Sequence, residues 1–289
     1  MAKFFEMLER RWQDGARVCV GLDSDRSKIP DFLLYTQGAY PDVRKFNRTI
    51  IEATADIALC YKPNIAFYSG AFHKEAQEVL AHTIDDIRDI APDVPVILDA
   101  KRADIGNTNG GYVDEAFLNF EADAVTVNPY FGMEAMKPFL DQNDKGIIVL
   151  CKTSNPGSAE FQDAILVAAD PPNRSMPMYK FVAERVSKYW NYNGNCALVV
   201  GATYPEQLGE VRQIVGNMWL LVPGIGTQGG DVEKVVRNGL NSRGNGLIIN
   251  SSSGIIFASK GVDYAEAARQ KMLELTEQIN SAISKRRAF

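Results

Sequence analysis

A (β/α)8 TIM barrel in a single α/β domain is the fold class that the sequence predicts, and three observations predict it. Eight short apolar, β-branched segments are spread over 289 residues. Stretches of helical periodicity separate them, and polar residues collect where each apolar segment ends. Strands alternating with helices imply a parallel sheet, and eight such units imply closure into a barrel.

The strands are expected at RVCVGLD (17–23), IALCYKPN (57–64), VPVILDAK (94–101), ADAVTVNPY (122–130), GIIVLCKTS (146–154), CALVVGAT (196–203), WLLVPGIG (219–226) and GLIINSSS (246–253). Parallel strands covered on both faces are nearly all apolar, so polarity returns only where a strand stops. Asp23, Lys62 and Asn64, Asp99 and Lys101, Asn128, Thr153 and Ser154, the run from Pro223, and Asn250 through Ser253 all stand at such ends. Barrel active sites are built at that face. Ordinary loop polarity explains any one of these ends but poorly explains so many.

Helical periodicity runs through 71–90, 178–190, 204–215 and 231–240, with a last helix over roughly 262–285 and an amphipathic start, MAKFFEMLERRW, at the N-terminus. The connection SNPGSAEFQDAILVAADPPNRS (154–175) is long for a βα loop. It reads as a lid over the barrel mouth, a surface insertion being the plainer alternative.

Composition narrows the function classes. Hydrophobic residues at 46% and charged residues at 23% describe an ordinary globular chain. A net charge of −5 without a long Lys/Arg cluster argues against a nucleic-acid backbone groove. Cys19, Cys60, Cys151 and Cys196 form no C-x-x-C pair and read as buried free thiols. No apolar run approaches the 18 or so residues of a membrane span, so a cytoplasmic, reducing environment is expected. His73 and His82 lack partners at metal-site spacing and read as solvated helix residues.

The stretch VPVILDAKRADIGNTNGGY (94–112) carries three charges, Asp99, Lys101 and Asp104. Residues two apart on a strand share a side, so Asp99 and Lys101 project together while Asp104 falls in the turn beyond. D-x-K-x-x-D arises by chance in roughly one chain in fifteen of this length, and a solvated ion-paired turn is the alternative, so context has to decide. GIGTQG (224–229) fits G-x-G-x-x-G after a strand. A dinucleotide site wants an acidic residue about 20 positions on, where this chain reads NGLIINSS, and the segment follows the seventh strand rather than the first. A barrel phosphate loop fits better.

In that context DAKRADIGNT resembles the signature of the orotidine 5′-monophosphate decarboxylase family. VGLDSD, YKPNIAFY, TVNPYFG, CKTSNPGS and VPGIGTQGGD follow in order on the expected strands. NPYFG and SNPGS resemble its longer, bacterial-type branch. The resemblance implies conversion of orotidine 5′-monophosphate to UMP in de novo pyrimidine synthesis, with no metal and no organic cofactor. It implies that Lys101 stabilises and protonates a C6 carbanion, that Asp99 holds the lysine charged, and that Asp104 with Thr108 crosses a homodimer interface into the partner's site. By the same resemblance Asp23, Lys62 and Asn64 serve the ribose, and Ser154 reads the pyrimidine edge. Gln228 reaches over base and phosphate, backbone N–H groups of the glycines in GIGTQGGD and of the helix that follows can receive the phosphate, and Pro223, Gly229, Ser253 and Gly254 are counted among the substrate-binding residues.

One position departs. Relatives commonly carry a phosphate-gripping arginine in a context like NSSRG, whereas this chain reads NSSSG with Ser253 in that place. Serine donates one neutral hydrogen bond where arginine offers a charged fork. Arg243 and Lys260 are candidates to fill the gap. Two other functions stay open: a Mg2+-dependent barrel enzyme for a phosphorylated sugar acid, which wants a further metal-binding acid near D-x-K-x-x-D, and a nucleotide-binding protein without catalysis.

Overall fold

A computed structural model describes residues 2–34, 39–71, 76–168, 174–225 and 230–287. Among these described residues ten strands occur in chain order: β1 Val18–Leu22, β2 Ala58–Pro63, β3 Ile97–Arg102, β4 Ala124–Val127, β5 Gly146–Lys152, β6 Ile165–Ala168, β7 Arg174–Pro177, β8 Cys196–Val200, β9 Leu220–Pro223 and β10 Leu247–Ser251. All but β6 and β7 join one parallel sheet in the order β2-β1-β10-β9-β8-β5-β4-β3. Parallel bridges Tyr61↔Val96 and Asn64↔Asp99 bring β2 against β3 and close the ring. This is the (β/α)8 TIM barrel that the alternation implied. Every residue of β1, β2, β8 and β10 is buried, which is why these segments are apolar until their last residues, where Lys62, Asn250 and Ser251 stand.

The predicted helices form at Lys3–Gln13, Pro205–Val215, Val232–Gly239 and Tyr264–Arg287, while Met178–Arg185 continues as a π-helical turn to Trp190. The 71–90 stretch is helical over Ala76–Ile90, and residues 72–75, which include His73, lie outside the described residues. His82 sits on that helix, partly buried. Helices Ala39–Thr54, Gly106–Asp114 and Gly132–Leu140 were not singled out from periodicity. The 154–175 connection carries structure of its own: a 3-10 turn at Pro156–Ser158, one helical turn at Ala159–Gln162, and an antiparallel hairpin of β6 and β7. All four cysteines are buried free thiols, and burial pushes the thiols of Cys151 and Cys196 up to about 12. No described helix is long and apolar enough to cross a membrane.

The N-terminal helix closes the end of the barrel where the strands begin. Its buried face, Phe4, Phe5, Leu8 and Trp12, joins the core. Arg11 donates to the carbonyls of Ala55 and Ala58, at 3.0 and 2.7 Å, satisfying chain that enters β2. Gly146, the first residue of β5, has no room for a side chain, because a Cβ there would lie 2.3 Å from the Phe4 ring and 2.8 Å from the Ala124 methyl. Gly146→Ala is therefore expected to cost about 1–3 kcal/mol by overpacking. It should lower the urea midpoint without altering activity, since the site lies at the other end of the strands. An unchanged midpoint would mean that the N-terminal helix yields at no cost.

Candidate active site

A cavity of about 650 Å3 opens at the carboxyl ends of the barrel strands. Four successive barrel strands place charge or hydroxyl groups there: Asp23 just after β1, Lys62 in β2, Asp99 and Lys101 in β3, and Thr126 in β4, all lining the cavity. Asp99 is the hub. Its Oδ2 lies 2.9 Å from Lys62 Nζ, its Oδ1 lies 2.6 Å from Lys101 Nζ, and the Thr126 hydroxyl donates to Oδ1 at 2.8 Å. Lys62 also faces Asp23, at 3.6 Å.

The ionisation states follow from these contacts. Burial opposes charge on Asp99, but the ammoniums of Lys62 and Lys101 outweigh it and hold the carboxyl well below the usual range. Burial likewise opposes charge on Lys62, and the carboxylates of Asp99 and Asp23 overcome it, holding the ammonium above its ordinary value. The lysines differ in access. Lys62 is nearly fully buried, whereas about half of the Lys101 side chain is open to the cavity.

Asp99 and Lys101 do come together, although not by simple strand alternation. The β3–β4 register shifts between Leu98 and Arg102, and Lys101 adopts φ +50°. A left-handed lysine is costly backbone, of the order of 1–3 kcal/mol. It is held there by its N–H, which donates to Thr126 Oγ1 at 2.9 Å. Thr126 therefore positions both the carboxylate and the lysine backbone. The sequence reading missed it; its signal is the lone hydroxyl inside the apolar run AVTV.

Asn64 lines the cavity and accepts the Ala66 N–H at 3.1 Å, capping the helix Ile65–Ala71. Ser154, Pro223 and Ser253 line the cavity, while Gly254 lies just behind the wall, partly buried. Ser154 packs so closely on Gly201 that a Cβ there would lie 2.9 Å from it. Gln228 and Gly229 lie outside the described residues. Asp104 and Thr108 are absent from the cavity of their own chain. Asp104 accepts the N–H of Ile105, at 2.7 Å, and buried Asn109 donates to the Asp104 carbonyl, which fixes the turn. Asn128 caps its own turn through the Tyr130 N–H. Arg243 is not at the site: it faces Glu9 of the N-terminal helix at 3.4 Å, on the loop before β10 begins. Lys260 is exposed and does not line the cavity.

Gln162, unnoticed in the sequence, joins the cavity wall from the long connection. It accepts the Thr153 N–H at 2.9 Å and donates to the Thr153 hydroxyl at 2.8 Å. Next to it Asp163 meets the buried Lys152 at 2.6 Å. The connection is thus docked onto the end of β5. Among the described residues no group of three His, Cys, Asp or Glu side chains is placed to share a metal ion.

A family model described as "Orotidine 5'-phosphate decarboxylase / HUMPS family" matches residues 16–269. The chain belongs to this family. Its curated relatives include the orotidine 5'-phosphate decarboxylase of Cellvibrio japonicus, 47% identical over 281 residues, covering 96% of this chain and 98% of the relative. That of Ralstonia pickettii is 46% identical over 279 residues, covering 96% and 98%. Among solved structures, Leishmania donovani OMP decarboxylase superposes with a TM-score of 0.80 at 36% identity, covering 97% of this chain and 99% of that one. Leishmania donovani UMP synthase gives 0.83 at 36% identity, this chain spanning 56% of its length. As a member of the decarboxylase family the chain is an enzyme of the carboxy-lyase class.

The charge hub gives a pH signature. Because the folded pKa of Asp99 is depressed, the stability it contributes is present above the ordinary carboxyl value of about 3.9 and is lost as pH falls from there toward the folded value. Asp99→Asn leaves Lys62 buried beside the more distant Asp23 and is expected to cost about 3–5 kcal/mol at neutral pH. The gap between parent and variant should narrow below about pH 4. Urea unfolding at neutral pH and near pH 3 checks this; a gap independent of pH would place the stabilisation elsewhere.

Proposed function

We propose that the protein decarboxylates orotidine 5′-monophosphate to UMP in pyrimidine biosynthesis, with Lys101 as the acid. Family membership and the named relatives support the reaction. The observation that carries the roles is the Asp99 carboxylate held between one buried and one cavity-facing ammonium. When the C6–carboxylate bond breaks, its electron pair stays on C6 of a ring that delocalises it poorly. The Lys101 ammonium is attracted more strongly as that charge grows, which is what lowers a barrier, and it then gives its proton to C6 as CO2 departs. Lys101 regains the proton from water. Asp99 pairs with the lysine ammonium and aims it, and also stands against the substrate carboxylate.

Asp23 supports a ribose-binding role for this corner. Its buried Oδ1 has the Lys62 ammonium at 3.6 Å and no donor within hydrogen-bond distance, and a ribose hydroxyl would supply one. The stretch bearing Asp23 is anchored by a buried network in which Asn47 bonds Ser24, Tyr68 and Thr83 while the Tyr68 hydroxyl donates to the Leu22 carbonyl. Ser154 on the wall suits contact with a pyrimidine edge. The position of Asp104 and Thr108 outside their own cavity, beside exposed Ile105, supports a homodimer in which they serve the partner's site.

Loss of orotidine 5′-monophosphate absorbance on adding purified protein with EDTA tests the reaction; silence at saturating substrate would end the proposal, and activity in EDTA would remove both the Mg2+-dependent sugar-acid enzyme and the non-catalytic nucleotide binder. Lys101→Ala is expected to abolish turnover while the protein stays folded, and residual activity within about tenfold of the parent would mean that another group delivers the proton. Mixed after subunit exchange, Lys101→Ala and Asp104→Ala chains should regain activity through one intact shared site. No recovery after verified exchange counts against sharing.

A further inference from the structure

We infer that Lys28 supplies the cation for the substrate's phosphate, a role that Ser253 cannot fill; the inference rests on the reading above that the substrate is a nucleoside monophosphate. In barrels of this architecture a phosphate is commonly received by the loops after the last two strands. Here those loops follow β9 and β10 and contribute Gly224, Ile225, Ser252 and Ser253 to the cavity wall. All four are neutral, while a phosphate monoester carries close to two negative charges at neutral pH.

Among the described residues that line the cavity, three are cationic: Lys28, Lys62 and Lys101. The last two are committed to Asp99, at 2.9 and 2.6 Å. Lys28 comes from a different place. It ends the 3-10 turn Arg26–Lys28 that follows β1, and β1 pairs with β10 through Val20↔Ser251. The turn after β1 and the chain after β10 are therefore neighbours at the cavity mouth. Lys28 Nζ stands 5.9 Å from the centroid of the Phe257 ring, and Phe257 lines the same cavity four residues beyond Ser253.

The turn is built to present the lysine. Asp25 accepts the Ser27 N–H and hydroxyl at 3.0 and 2.7 Å through one oxygen, and its other oxygen lies 3.1 Å from Lys28 Nζ. The Lys28 side chain is 56% exposed, so this ion pair is solvated and weak. An ammonium has three donors. One can stay with Asp25 while another reaches a phosphate oxygen, which a single neutral serine hydroxyl cannot match in charge.

The test compares Lys28→Gln and Lys28→Arg with the parent. Affinity for UMP and for uridine is measured by calorimetry at low and high salt, and KM and kcat for orotidine 5′-monophosphate are measured in EDTA. Lys28→Gln is expected to weaken UMP by about tenfold or more at low salt, to raise KM similarly with kcat little changed, and to leave uridine affinity as it was. The UMP difference should shrink at high salt, and Lys28→Arg should stay near the parent. Adding Ser253→Arg to Lys28→Gln should recover UMP affinity, and by a larger factor than Ser253→Arg gives in the parent. UMP affinity unchanged in Lys28→Gln would overturn the inference. So would equal losses for UMP and uridine, which would mark the turn as packing only. A parent that fails to decarboxylate the substrate would instead defeat the functional reading.

Discussion

The carboxylate of Asp99 has to be charged where it is almost out of water, and much of the site is arranged to satisfy it. A buried carboxylate without partners would take up a proton or destabilise the fold. Both of its oxygens are occupied: one by Lys62, the other by Lys101 and the Thr126 hydroxyl. Asp23, Lys62, Asp99 and Lys101 are together neutral, so the protein can hold them in place before any substrate arrives. The one member with substantial exposure is Lys101, whose side chain faces the cavity. For the proposed reaction, preorganisation of this kind is what would make an ammonium useful against a developing carbanion, because no solvent has to reorient as charge appears.

This hub depends on closure of the barrel. Its members come from four consecutive barrel strands, and Asp99 meets Lys62 and Thr126 only because those strands end at one level. The parallel bridge between Asn64 and Asp99 sets that level at the point where the ring closes. At the opposite end the N-terminal helix and the Gly146 contact with Phe4 stabilise the barrel without touching the cavity. The close packing of Phe4 on Gly146 and the charge hub thus lie at opposite ends of the strands, and the strained φ of Lys101 lies at the cavity end. The connection after β5 is pinned by Lys152 to Asp163 and by Thr153 to Gln162, which puts Gln162 on the cavity wall.

The elements that were legible in the sequence are those whose signal is local. All eight barrel strands were visible because a strand covered on both faces must be apolar until it stops. Helix Gly106–Asp114 was not visible, since GNTNGGYVD has poor helix propensity; tertiary contacts hold it, including buried Asn109, whose amide donates to the carbonyls of Asp104 and Ala135. The 154–175 segment read as an irregular lid, and its hairpin escaped notice because two four-residue strands are too short for periodicity to register.

By itself the sequence determined the barrel, the face of the site, and the identities of Asp23, Lys62, Asp99, Lys101 and Ser154 as groups at strand ends. The tertiary structure alone decided how they meet. It placed Thr126 under both Asp99 and the Lys101 N–H, kept Asp104 out of its own chain's cavity, sent Arg243 to the far end beside Glu9, and brought Lys28 next to the turn that holds Ser253 and Phe257. The physical reason is distance along the chain. Hydrophobic alternation is a property of neighbouring residues, whereas β1 and β10 become neighbours only when the sheet closes on itself, and no local pattern records which polar ends that closure will bring together.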